Sequence, residues 1–216
     1  MAPIPGSRPG TTSAGLAPAT ADLDGIVEAL AGPGWCVAPA FLDADVTARL
    51  RAEALASHAL GTFQAAGVGR GLPEMRSDIR GDRILWVEAP EAGTALEAAL
   101  ARMEALRRAV NQALYLGLFD LEVHFAVYPP GGGYQRHLDR FRDDDRRTLT
   151  VILYLNEGWR REDGGLLRFW PEPAGEPLEI LPAGGTLVAF LSDRFWHEVT
   201  PARRERLSLT GWFRRR

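Results

Sequence analysis

The feature that most restricts how this chain can fold is a His-x-Asp pair, His137 and Asp139, with a further histidine, His197, far downstream. In a β-strand, residues i and i+2 point to the same face, so the side chains of His137 and Asp139 project together. A third ligand must come from a distant strand, and His197 is the available candidate. Two histidines and one carboxylate that leave coordination positions open are the ligand set of a non-haem Fe(II) centre. The pattern therefore predicts β-structure that brings two separate segments to one iron ion.

The C-terminal half of the chain has the pattern of many short strands separated by Gly, Pro and Asp turns, with no βαβ alternation. The candidate strands are 121–128, 134–138, 147–155, 166–170, 177–181, 186–191, 195–199 and 205–213. Such a series predicts a sandwich or a double-sheet jelly roll. We expect an α+β, mainly β fold in which N-terminal helices buttress one of the two sheets.

The N-terminal half predicts those helices. Asp22 or Asp24 can cap a short first helix, and Asp43 can cap a second one. The longest helix is predicted from Glu91 to about Leu116, with Gly117 as its C-cap. Short strands are expected at 35–38 and 84–87.

Segments with few apolar residues mark the parts of the chain that are not expected to belong to a folded core. Residues 1–20 are rich in Pro, Gly, Ala, Ser and Thr and are interpreted as a disordered leader. Residues 61–77 are rich in glycine and are interpreted as a mobile loop. Residues 21–216 are predicted to form a single domain, whose metal and co-substrate core spans about 121–213.

The composition of the chain limits which binding partners and which cellular compartment are expected. The net charge of −3 favours neither nucleic acid nor an anionic membrane as a partner, and no apolar run reaches the roughly 18 residues of a membrane span. One cysteine excludes a disulfide within the chain. We expect a cytoplasmic protein. All 25 basic residues are arginine, so any bound anion must be held by arginine, backbone or hydroxyl groups.

Strand parity places a polar face next to the candidate metal site. Arg206, Ser208 and Thr210 alternate with apolar residues in the last strand, and Thr150 and Tyr154 alternate in the same way in an earlier one. An all-apolar lining would be ordinary for a buried strand. Hydroxyl groups and an arginine on these faces predict a pocket for a small anion beside the metal.

The two remaining histidines are interpreted as structural. His58 lies near the end of a helical pattern. His124 shares strand parity with Tyr128 but precedes it by about 13 Å of extended chain. If Tyr128 reaches the site, we expect that His124 does not.

Several segments, taken together, resemble the hypoxia-inducible-factor prolyl hydroxylases and their bacterial relatives. The resemblance covers about residues 35–213 and rests on 78–88 (DIRGDRILWVE), 128–130 (YPP), 134–139 (YQRHLD), 154–156 (YLN), Trp159, 164–168 (GGLLR), 171–172 (PE), 192–194 (SDR), 197–201 (HEVTP), Arg206 and 212–213 (WF). It implies a double-stranded β-helix (jelly-roll, cupin-like) core. It also implies Fe(II) as cofactor, 2-oxoglutarate and O₂ as co-substrates, and ascorbate as a further cofactor.

The resemblance also implies roles for individual residues. His137, Asp139 and His197 would bind iron, while Arg206 would pair with the distal carboxylate of 2-oxoglutarate and Tyr154 would hydrogen-bond it. The other expected co-substrate contacts and apolar walls are Tyr128, Thr210, Ile152, Leu167 and Val199. Residues expected to meet the protein substrate or cover the site are Arg80, Asp82, Arg147 and Trp212.

The function implied is hydroxylation of a prolyl residue in a protein or peptide substrate, with release of succinate and CO₂. Two alternatives stay open: an oxygenase for a free amino acid or other small metabolite, and a non-catalytic jelly-roll binding or sensing module. Segment 78–88 favours a protein substrate, and the presence of all three candidate ligands and Arg206 favours an enzyme. The loop 61–77 and the charged loop after Asp139 depart from the family, and substrate choice is expected to reside there.

Overall fold

The computed structural model describes residues 21–67, 79–139 and 146–216. The predicted leader, 1–20, and most of the two predicted loops, 68–78 and 140–145, lie outside the described residues. The helices are α1 (Leu23–Ala31), α2 (Ala44–Ala59), α3 (Ala95–Leu114) and a short 3₁₀ helix (Arg161–Asp163). The strands are β1 (Trp35–Ala38), β2 (Gln64–Ala65), β3 (Arg83–Trp86), β4 (Leu118–Tyr128), β5 (Tyr134–His137), β6 (Arg147–Tyr154), β7 (Leu167–Trp170), β8 (Leu178–Ile180), β9 (Leu187–Leu191), β10 (Trp196–Val199) and β11 (Arg206–Arg215).

The strands form two antiparallel sheets. The larger sheet has the order β1-β9-β6-β11-β4-β3-β2, and the smaller one has the order β5-β10-β7-β8. Each of the eight strands predicted in the C-terminal half is present, within a few residues of its expected bounds. The predicted α+β, mainly β, jelly-roll architecture is therefore confirmed.

Side-chain alternation divides the interior into two layers. One face of the larger sheet packs against the helices through a large apolar core that includes Leu50, Met103 and Leu209. The other face packs against the smaller sheet through a second cluster that includes Tyr154 and Phe169. The site predicted from the sequence belongs to this second layer, between the sheets.

The ends of the helices are set by local hydrogen bonds. The Asp43 carboxylate accepts from Val46 N at 2.9 Å, which confirms the predicted cap of α2. The prediction for α3 was wrong at both ends. The helix begins at Ala95 because the Thr94 hydroxyl and the Glu53 carboxylate accept its first amide hydrogens. It ends at Leu114, and its C-cap is Tyr115, which adopts the left-handed conformation (φ 54°), rather than the predicted Gly117. No helix in the described ranges is both long and apolar enough to cross a membrane.

The region predicted as a loop over 61–77 contains a strand. Gln64 and Ala65 pair with β3 and extend the larger sheet by one strand. Phe63 is buried beside this strand, and its carbonyl accepts from the Arg83 guanidinium at 2.8 Å. A buried aromatic ring and a long-range hydrogen bond therefore order a segment whose glycine content predicted a loop.

Asn156 joins the two strands that carry the polar face of the cavity. Its side chain lies just after β6, donates to Pro182 O at 2.8 Å, and accepts from Leu207 N at 2.7 Å. The residue is buried, so neither partner can turn to water instead. The bond from Leu207 N holds the end of β6 next to the start of β11, and the bond to Pro182 O ties it to the segment before β9.

We predict that Asn156→Ala lowers the free energy of unfolding by about 2–6 kcal/mol, because two buried backbone groups lose their partner at a cost of about 1–3 kcal/mol each. Denaturant titration followed by tryptophan fluorescence measures the change. The matched control is Glu157→Ala at the neighbouring exposed position, which is expected to change stability by less than about 0.5 kcal/mol. Equal stability of the two variants would show that Asn156 does not hold these strands together.

Candidate metal centre

Two strands of the smaller sheet bring the candidate ligands together. His137 ends β5 and pairs directly with His197 of β10 across the sheet, while Asp139 follows two residues after His137. One donor atom from each of the three side chains lies within 4.8 Å of the others. Nε2 of His137 lies 3.6 Å from Asp139 Oδ1, and Nε2 of His197 lies 3.6 Å from Asp139 Oδ2. The predicted convergence of these side chains is observed.

Hydrogen bonds behind the cluster orient each ligand. The Nδ1 atoms of His137 and His197 lie 2.7 Å from Gln135 O and 3.1 Å from Phe195 O. A carbonyl oxygen only accepts, so each Nδ1–H donates and each Nε2 keeps its lone pair for a metal. The Asp139 carboxylate accepts from the Thr150 hydroxyl of the larger sheet at 2.8 Å. Thr150, which strand parity placed on the polar face, therefore supports a candidate ligand.

The electrostatics keep the ligands in metal-binding form. Burial alone would raise the pKa of Asp139, but the two neighbouring imidazoles and the Thr150 hydrogen bond outweigh it and hold this pKa well below its usual range. Burial, together with the charge of His137, lowers the pKa of His197 to about 4. At neutral pH Asp139 is thus an anion and His197 is neutral, as ligation of a divalent metal requires.

A cavity of about 410 Å³ opens beside this cluster, between the two sheets. It is lined by all but one of the residues predicted for the site: Arg80, Asp82, Tyr128, His137, Asp139, Arg147, Ile152, Leu167, His197, Val199, Arg206, Thr210 and Trp212. The exception is Tyr154, which is fully buried behind the wall, with its ring centroid 5.1 Å from Arg206 Cζ.

Arg206 is a buried cation in the cavity wall. It is 1% exposed, its Nε donates to Gly165 O at 2.9 Å, and its guanidinium lies 5.0 Å from the ring centroid of Tyr128. Across residues 21–67, 79–139 and 146–216, no carboxylate forms an ion pair with it. Burying an unpaired charge is costly, so the position fits a protein that receives an anionic ligand.

Hydroxyl groups lie beside this guanidinium or on the same cavity face of β11. Burial raises the pKa of Tyr154 to about 12, so its phenol is neutral, and the Tyr154 hydroxyl has no hydrogen-bond partner among the described residues. Ser208 Oγ and Thr210 Oγ1 lie 3.1 Å apart on β11. Arg206 and the neighbouring Tyr154 hydroxyl can bind a carboxylate through a charge-assisted pair and a hydrogen bond.

The four residues predicted to meet a substrate already contact their neighbours. Arg80 binds Asp82 through two hydrogen bonds of 2.6 and 2.9 Å. Arg147 donates to Glu122 Oε1 at 2.6 Å, and its guanidinium lies 3.5 Å from the ring centroid of Trp212. Their charges are therefore largely balanced within the cavity wall.

The expectation that His124 stays away from the site was wrong. His124 lines the same cavity as Tyr128, because β4 lies along the cavity and pairs His124 directly with Thr210 of β11. The ring is 2% exposed and lies between the indoles of Trp86 and Trp212, at centroid distances of 4.8 and 5.4 Å. Burial, and then the charges of Arg80 and Arg147, lower its pKa to about 3, so it is neutral.

Other cavity residues were also missed by the sequence reasoning. Glu122, His124 and Ala126 share the parity of Tyr128 on β4, and Trp86 pairs with His124 from β3. Parity along β4 was the signal that could have found the first three. Nothing local in the sequence indicates the pairing of β3 with β4.

The comparisons with known proteins agree with this geometry. The sequence profile of the 2OG-Fe(II) oxygenase superfamily matches residues 123–214. A crystal structure of a Pseudomonas putida prolyl-4-hydroxylase is 49% identical, with a TM-score of 0.82 over 90% of this chain and 100% of that one. A prolyl hydroxylase from Trichoplax adhaerens, solved in complex with a hypoxia-inducible-factor peptide fragment, is 29% identical, with a TM-score of 0.82 over 89% of this chain and 88% of that one.

Curated relatives point the same way. Human prolyl hydroxylase EGLN3 is 32% identical over 200 residues, which cover 88% of this chain and 82% of the relative. Rat Egl nine homolog 1 is also 32% identical, over 99% of this chain, but the chain spans only 64% of that protein's length. It spans 46% of human Egl nine homolog 1. By these matches the chain belongs to the 2OG-Fe(II) oxygenase superfamily, in the group that contains the Egl nine prolyl hydroxylases and the Pseudomonas putida prolyl-4-hydroxylase.

Proposed function

We propose that this protein is an Fe(II)- and 2-oxoglutarate-dependent dioxygenase of the prolyl 4-hydroxylase type, which hydroxylates a prolyl residue in a protein substrate and releases succinate and CO₂. One observation carries the proposal: a buried arginine without a carboxylate partner among the described residues, Arg206, lines the same cavity as a His-Asp-His cluster. A metal-binding cluster and a carboxylate-binding arginine in one cavity are what a 2-oxoglutarate oxygenase needs.

The metal would be held by His137, Asp139 and His197, whose donor types suit Fe(II) with open coordination positions. When bound, the metal and 2-oxoglutarate supply the activation of O₂ that hydroxylation of a C–H bond requires. The protein orients the ligands: backbone carbonyls fix both imidazole tautomers, and the Thr150 hydroxyl fixes the Asp139 carboxylate. Ascorbate stays a prediction from the resemblance.

The co-substrate would be held from the larger sheet. Arg206 would pair with the distal carboxylate of 2-oxoglutarate, and the Tyr154 hydroxyl would donate to the same group. Gly165 supports this arginine, because a Cβ at that position would lie 2.9 Å from Arg206 Cδ and displace it. Tyr128, Thr210 and the apolar side chains of Ile152, Leu167 and Val199 would form the remaining walls and exclude water.

The substrate would be a protein or peptide. The similar Trichoplax adhaerens enzyme was solved with such a peptide, and Arg80, Asp82, Arg147 and Trp212 line the part of the wall proposed to meet it. We further propose that residues 21–216 form one domain, because the helices and the larger sheet share one apolar core. A cytoplasmic location is supported by the single, buried, free Cys36.

We predict that the purified protein, supplied with Fe(II), 2-oxoglutarate and O₂, forms succinate faster when protein extract is added, and that mass spectrometry finds a +16 Da prolyl residue in the extract. His137→Ala is expected to lose both signals while keeping its circular dichroism spectrum. Stimulation by free amino acids but not by protein would instead support a metabolite oxygenase. No turnover of 2-oxoglutarate under any condition would support a non-catalytic module.

We predict that Arg206→Ala weakens 2-oxoglutarate binding by about 30-fold or more, because truncating one partner of a buried charge pair costs about 2–5 kcal/mol. Metal affinity is expected to change by less than about threefold, since Arg206 is not among the ligands. Calorimetric titration of the metal-loaded protein with 2-oxoglutarate measures the loss. Arg203→Ala, at an exposed position near the same strand, is the matched control. Equal loss of metal and 2-oxoglutarate binding would mean that Arg206 is only structural.

A further inference from the structure

We propose that Arg80 and Asp82 act as positioning residues, holding the metal ligand His137 in place through the ring of Tyr134. The inference rests on the proposed metal site and extends it to residues outside the ligand set. The resemblance assigned Arg80 and Asp82 to substrate contact. Their contacts give them a second task, which is to fix the strand from which His137 projects.

The strand that carries His137 needs support on one side. β5 is a short strand at the edge of the smaller sheet, and its pairing with β10 shifts register between His197 and Val199. An edge strand leaves one row of backbone groups without a strand partner, which lets its position vary. A ligand at the end of such a strand is held only as well as the strand itself.

The segment just before β3 supplies the missing support. Arg80 forms a bridge with Tyr134, Gln135 N donates to Ile79 O at 2.9 Å, and Gly81 N donates to Gly133 O at 2.9 Å. A Cβ at Gly81 would lie 3.2 Å from Gly132 Cα, so the two backbones approach closely. Because β3 belongs to the larger sheet, this segment ties β5 to the opposite side of the cavity.

The side chains continue the same connection to the metal ligand. The guanidinium of Arg80 lies 4.9 Å from the centroid of the Tyr134 ring. That ring is stacked on the imidazole of His137, at a centroid distance of 3.6 Å and an interplanar angle of 19°. The hydrogen bond from Nδ1 to Gln135 O fixes the nitrogen of His137, and the stack fixes the plane of its ring.

Asp82 holds the start of this chain of contacts. Its side chain is 0% exposed, and it binds Nε and Nη2 of Arg80 through both carboxylate oxygens. A bidentate pair of this kind fixes the plane of the guanidinium as well as its place. Asp82 therefore acts on His137 through Arg80 and Tyr134, without touching the metal.

The test is titration of the metal-free protein with Co(II), read by the visible absorption bands of the bound ion. We expect Tyr134→Leu and Asp82→Asn to weaken Co(II) binding by about 10–100-fold and to shift the bands, as loss of a supporting partner does at other metal sites. Tyr134→Phe keeps the stacked ring and is expected to restore the wild-type affinity and spectrum. The matched control is Glu179→Gln, an ion-paired acid on β8 at the opposite edge of the same sheet, which should leave both unchanged.

Wild-type affinity and spectrum in Tyr134→Leu would overturn the proposal. Loss of succinate formation in Asp82→Asn together with normal Co(II) binding would also overturn it, and would assign that residue to substrate contact. Asp82→Asn leaves a buried cation poorly paired and can therefore unfold the protein. In that case the comparison of Tyr134→Leu with Tyr134→Phe, at a half-buried position, decides the test. A wild-type protein that binds Co(II) but never consumes 2-oxoglutarate would refute the proposed function. The Co(II) affinities of the variants would still test the positioning role of Arg80 and Asp82.

Discussion

Side chains that alternate along β11 and its two neighbours, β4 and β6, create both the core and the cavity. Leu207 and Leu209 face the helices, whereas Arg206, Ser208 and Thr210 face the space between the sheets. β11 pairs on one side with β4 and on the other with β6. The register of these pairs therefore decides which residues of the three strands lie side by side in the cavity wall. A slip of one residue would exchange the two faces and turn Arg206 into the apolar core. The fold and the site therefore depend on the same pairing.

The two sheets contribute different chemistry to the space between them. The smaller sheet supplies the candidate metal ligands, and the larger sheet supplies Arg206 and the hydroxyl groups near it. The hydrogen bond from Thr150 to Asp139 is one link between the two sets. The segment 79–82 is another, since it leads into β3 of the larger sheet and pairs with β5 of the smaller one. Such links matter because the candidate metal ligands and Arg206 keep their relative positions only if the two sheets do.

Charge is distributed unevenly along the cavity. Arg80 and Arg147 have carboxylate partners in Asp82 and Glu122, so they are already neutralised in the wall. Arg206 has none in the part of the chain that the structure describes. An entering anion is therefore expected at Arg206 rather than at Arg80 or Arg147. The same reasoning separates the part of the cavity around Arg206, which suits an anion, from the part where the arginines are already paired.

The sequence alone determined the strand series, the capped second helix, the two-faced character of β6 and β11, and the candidate ligands. These features depend on periods of two or on short-range hydrogen bonds, which any stretch of sequence displays directly. Tertiary structure alone decided that Gln64 and Ala65 form a strand and that the segment before β3 pairs with β5. Each of these depends on which distant segment lies alongside, and a register between strands far apart in the chain leaves no periodic signal in either of them.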